Sequence, residues 1–137
     1  MSHDPELVAE TGAWFTKAGQ DLRVAVLAAD AKPPLYAQTV YHAQQTAEKS
    51  MKGFLTWHLR TFGKTHNLAE LGRACAAIDP TMEPLMRRAG GLTDYVWRYR
   101  YPGDPDEPSE QESREAVALA EQVIQTLLSR MPGEVRP

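Results

Sequence analysis

Within the segment YHAQQTAEKSMKGFLTWH, Tyr41 to His58, the donors His42, Gln45, Lys49 and Lys52 recur at three- and four-residue spacing. On a helix, His42, Gln45 and Lys49 fall within about 60° of one another, with Lys52 about 60° round from Lys49. Gln38 and Arg60 extend the same side. A row of donors suits an anion or an acidic partner. The plainer alternative is a solvated face, although such a face would be expected to mix in more acids. Glu48, four residues before Lys52, is spaced for an ion pair along the helix.

A second cluster is DYVWRYRYPGD, Asp94 to Asp104, where Tyr95, Trp97, Tyr99 and Tyr101 interleave with Arg98 and Arg100. Aromatics beside arginine stack on bases and grip phosphates, and they are equally common in protein interfaces. A third is GKTHNL, where His66 could exchange a proton near neutral pH or simply cap a turn. Cys75, the single cysteine, sits among alanines and reads as a small core residue rather than a nucleophile. No glycine-rich phosphate loop, H-E-x-x-H string or E-x-x-H pair occurs, and no Cys/His metal spacing exists. Neither a metal nor a cofactor is expected.

These residues must be positioned by helices. Leu7, Trp14, Phe15, Ala18, Leu22, Ala25, Val26 and Ala29 recur at helical spacing, with Asp4 as the cap and Pro5 in the first turn. Pro33 and Pro34 end that helix near Asp30. A second is expected from Pro34 or Leu35 to Phe62, with Gly63 at the position just past its end and Tyr36, Val40, Ala43, Ala47, Met51 and Phe54 on its apolar side. A short third spans about Leu68 to Ile78 behind Asn67. A fourth covers Met82 to Tyr101, bent near Gly90 and Gly91. Ser109 and Glu112 form a capping box opening a fifth that ends near Met131. The fold expected is all-α: an up-and-down bundle of four long helices plus one short one, in one domain over 1–137 with its core at about 7–131 and a tail at 132–137.

Hydrophobic residues make up 42% of the 137-residue chain and charged residues 24%, an ordinary globular balance. The net charge of −3 argues against a non-specific nucleic-acid coat and leaves room for a local basic groove. Without a signal-peptide pattern or an apolar run long enough for a membrane span, a cytoplasmic location is expected.

Four strings, in order, resemble the prokaryotic HEPN domain family. Trp14, Ala18, Asp21 and Leu22 meet W-x-x-x-A-x-x-D-L. Ala43, Gln44, Gln45, Ala47, Glu48, Lys49 and Lys52 meet A-Q-Q-x-A-E-K-x-x-K. Thr65, His66 and Leu68 meet T-H-x-L, and Arg100, Tyr101 and Pro102 meet R-Y-P. The resemblance covers about Leu7 to Leu128. It implies a helical bundle that pairs as a homodimer, commonly beside a minimal nucleotidyltransferase in toxin–antitoxin or related modules. Some members bind nucleotides, and many are metal-independent ribonucleases carrying R-x(4–6)-H on a late helix, where the Arg and His of two protomers share a cleft. No histidine follows Arg98 here. Only RTFGKTH, Arg60 to His66, meets the bare spacing, and it lies after the second helix.

The leading expectation is therefore a non-catalytic binding module. It would hold a nucleotide, an RNA phosphate or a nucleotidyltransferase partner through His42, Gln45, Lys49, Lys52, Arg98, Arg100 and Tyr101. The rival is a metal-independent ribonuclease using Arg60 and His66.

Overall fold

The computed structural model describes residues 3–98 and 107–137, with the side chains of residues 96 and 97 excepted. The expected site residues Arg100 and Tyr101, and the last turn expected of the fourth helix, lie outside the described residues. All the regular structure described is helical: α1 Pro5–Asp30, α2 Tyr36–Trp57, α3 Leu68–Ile78, α4 Glu83–Gly90, α5 Leu92–Arg98 and α6 Glu110–Ser129, with single 3-10 turns at Pro80–Met82 and Gly133–Val135. No strand occurs among the described residues.

The starts of three helices follow from their capping residues. The Asp4 carboxylate accepts from the Glu6 amide, and Asn67 accepts from Ala69 and Glu70. Ser109 and Glu112 bond each other's backbone reciprocally ahead of α6. Each side chain satisfies amides that the first turn leaves without a partner.

The second helix stops five residues earlier than its apolar pattern suggests, at Trp57 rather than Phe62. The Arg60 amide donates to the Leu55 carbonyl (2.9 Å) and the Leu59 amide to that of Thr56 (3.0 Å). This is a Schellman closure, which places its left-handed residue at Leu59 (φ 58°) instead of Gly63. A leucine held there costs about 1 kcal/mol. Gly63, also left-handed at φ 62°, shapes the following loop. The continuous fourth helix expected is likewise divided, and the expected bend at Gly90 and Gly91 is a break between α4 and α5.

Helices α1 and α2 lie antiparallel. Leu35 bonds Ala28 at one end, and Gly53 meets Phe15 and Trp14 toward the other. A Cβ at Gly53 would stand 2.9 Å from Phe15 Cε2, so the close crossing requires glycine. Helix α6 is antiparallel to α1 as well: Arg114 lies toward Asp30, while the Val135 carbonyl approaches Gly12. The core between them contains Phe15, Met51, Phe54, Leu55, Val123 and Leu127, with Leu68, Leu71, Met82 and Leu92 closing the far side. Val26 departs from its expected place in the apolar stripe and is 38% exposed.

Candidate functional site

The polar row on α2 is divided between two buried carboxylates. Asp21 lies on the α2-facing side of α1, four residues before buried Ala25 and three after buried Ala18. His42 Nδ1 donates to its Oδ1 at 2.8 Å, and Lys49 Nζ donates to its Oδ2. His42 and Lys49 lie seven residues, about two turns, apart on the same face of α2, and both side chains converge on the one carboxylate. Asp21 is an acceptor only, and its two oxygens are shared between them. His42 and Lys49 keep 24% and 25% of their side-chain surface exposed. After bonding Asp21, Lys49 has two further N–H donors and His42 its Nε2.

Glu48, on the adjoining side of α2, is almost wholly buried. Lys52 Nζ lies 3.4 Å from its Oε2, as the four-residue spacing suggests. His66 Nδ1 donates to its Oε1 at 3.0 Å. Gln44 also points an amide N–H at Glu48 (3.4 Å), and Gln45 donates to the Gln44 carbonyl (2.7 Å). Glu48 thus ties the loop after α2 back to the middle of that helix.

Lys52, also expected in the donor row, is more enclosed than His42 and Lys49, with 8% of its side chain exposed. Its ammonium lies 5.8 Å from the Trp14 ring centre and 5.7 Å from that of Phe62. Those rings meet edge-on at 6.1 Å. The Lys52 ammonium lies beside this aromatic pair, where the rings and Glu48 together replace water. It is part of the packing.

The RTFGKTH string forms no helical motif. Arg60 is exposed in the loop, and His66 is 77% exposed with Nε2 turned away from Glu48. Arg60 acts on His58, whose pKa is lowered first by burial and then by the Arg60 charge. Arg98, at the end of α5, lies 4.0 Å from Glu112 on α6. It therefore belongs to a different helix pair from the α2 row. Cys75 is core: its Sγ points at the Met51 carbonyl (3.7 Å), and burial pushes the thiol pKa up to about 12. No group of three or more His, Cys, Asp or Glu side chains able to hold a metal lies among the described residues.

Asp21 and Glu48 were not among the expected site residues, yet each organises one half of the site. For Asp21 the available signal was an acid beside Ala18, Leu22 and Ala25 on the apolar side of its helix. Both also fall within the strings quoted above.

The HEPN domain profile matches residues 11–131, which carry every bond of both networks. The chain belongs to the HEPN family. HEPN domains are associated with nucleotidyltransferase toxin–antitoxin systems or ribonucleases, and they often pair with nucleotidyltransferases. No curated protein and no solved structure matches this HEPN chain. Among its described residues no helix is long and apolar enough to cross a membrane.

Proposed function

We propose that this HEPN domain is a nucleotide- or RNA-associated binding module and the non-catalytic, homodimeric partner of a nucleotidyltransferase. The observation that carries this reading is Asp21 bridging His42 and Lys49. One buried carboxylate fixes the orientation of both donors before any ligand arrives, which lowers the ordering cost of binding. Gln45 lies between them in sequence and is itself oriented by Gln44. The face then offers donors of fixed direction to phosphate oxygens or to carboxylates of a partner. Arg98, Arg100 and Tyr101 supply a second contact region of the same chemistry.

The test is a titration of ATP, and separately of a short single-stranded RNA, into wild type and into the Lys49→Ala and Arg100→Ala variants. The same variants are assayed for association with a minimal nucleotidyltransferase. Affinities unchanged in both variants would dismiss the reading.

The His66–Glu48 bond supports a second reading, metal-independent RNA cleavage. A carboxylate that orients Nδ1 leaves Nε2 free to take or give a proton, and Arg60 would stabilise charge developing on the phosphate. Cleavage in EDTA that disappears in the Arg60→Ala/His66→Ala double variant would favour it. Absence of cleavage by wild type leaves the binding module.

A further inference from the structure

Among the described residues Leu59 is the most exposed large hydrophobic side chain, at 78%, and it occupies the left-handed position that normally takes glycine. Around it, the loop HLRTFGKTH from His58 to His66 contains Arg60 and Lys64 and no acid, in a chain whose net charge is −3. The left-handed turn closes α2, a task glycine would perform without strain, while the Leu59 side chain itself stays exposed. Strain retained at an exposed position points to a contact made outside the fold.

A hollow of matching character lies at the opposite end of the bundle. Between the C-terminal part of α1 and the first half of α6 is a depression of about 300 Å³ whose apolar lining is Val26, Ala29, Val117 and Ala118. Asp30 and Glu121 also line it, as does Arg114, which is held by Glu110 at 3.0 Å. Val26 is the same residue that leaves the apolar stripe for the surface. Leu59 is apolar with basic residues following it, and the hollow has an apolar part with two acids, Asp30 and Glu121, besides the Glu110-paired Arg114.

We infer that Leu59 of one copy seats in the α1–α6 hollow of a second copy, with Arg60 and Lys64 facing Asp30 and Glu121 across the contact. The inference rests on the homodimer within the proposed function and names its interface. Because α1 runs antiparallel to α2, tip and hollow lie at opposite ends of each protomer. An antiparallel pair makes the contact twice and closes, as a two-fold dimer must. The volume accommodates a leucine side chain. Burying Leu59 and covering Val26 together would remove two exposed hydrophobic side chains from water.

Sedimentation equilibrium on the full chain tests this with two variants that change opposite sides of the contact. Leu59→Gly places the favoured residue in the left-handed position, and Ala118→Trp fills the hollow without touching the loop. Wild type is expected to be dimeric, and each variant to dissociate about tenfold more readily or further. At concentrations where both proteins are monomeric, Leu59→Gly should melt higher than wild type by about 3 °C. Lys64→Glu should also weaken the dimer, and adding Glu121→Lys should restore it. A monomeric wild type overturns the inference, as does a dimer that survives both Leu59→Gly and Ala118→Trp. Nucleotide binding is measured separately: monomeric Leu59→Gly that still binds ATP leaves the binding module standing. A Leu59-dependent dimer that binds neither nucleotide, RNA nor a nucleotidyltransferase removes that module alone.

Discussion

Asp21 Oδ1 lies 2.8 Å from His42 Nδ1 across the α1–α2 seam, while its other oxygen accepts from Lys49. This three-residue bridge converts a row of polar side chains into an oriented face. It also makes Asp21 a structural residue. Replacing it with Asn removes the charge opposing Lys49 with little change in volume, and is expected to destabilise the fold by roughly 2 kcal/mol. Lys49→Met added to Asp21→Asn should recover part of that loss. A double-mutant cycle by urea unfolding measures the coupling, and strict additivity would contradict the bridge.

Gly53 tests the crossing of the same two helices. Alanine is the better helix former by about 1 kcal/mol, so Gly53→Ala would stabilise an open helix surface. Here the new methyl would meet Phe15 Cε2 at 2.9 Å and Trp14 Cβ at 3.0 Å. The Trp14 Cβ is fixed to the α1 backbone and cannot swing away. Net destabilisation of about 1 kcal/mol or more is expected, read as a lower urea midpoint.

The apolar pattern made most of this legible, and its failures have specific causes. Helix α1 is bounded as expected by Asp4, Pro5 and the prolines after Asp30. The end of α2 was obscured because Leu59 and Arg60 are good helix formers, so nothing in their propensity marks a left-handed closure. On the helical wheel, His42, Gln45 and Lys49 had directions but no partners, whereas the spacing already paired Lys52 with Glu48. Asp21 reaches that row from another helix, 21 residues from His42 in sequence. The enclosure of Lys52 was not legible for the same reason, since the Trp14 and Phe62 rings beside it come from α1 and the loop after α2.

Asp79 gives a pH signature. Its carboxyl is held below the usual range first by the Thr81 hydroxyl (2.6 Å) and then by Arg130 (2.6 Å). A carboxylate depressed in the folded state stabilises above its unfolded pKa, and that contribution fades as pH falls through the folded value. Asp79→Asn should therefore lower Tm at pH 7, with the difference from wild type shrinking below about pH 4. A Tm difference constant from pH 7 to pH 2 would contradict the assignment.

Cys75 is expected to be inert. With its pKa pushed up to about 12 and its side chain buried, the thiol has almost no thiolate at pH 8. An aromatic disulfide reagent should leave it unlabelled in the native protein and label it fully in denaturant. Rapid native labelling would mean that α3 opens locally from α2.

The most direct test of the oriented binding face is calorimetric titration of ATP and of a short single-stranded RNA into wild type and Lys49→Ala at equal, verified foldedness. Saturable binding of at least one of them by wild type, about tenfold weaker in the variant, is expected from the loss of a charge-assisted donor. Equal affinity in the two proteins, or no binding of either ligand by wild type, would contradict a nucleotide- or RNA-binding role for the Asp21-organised face.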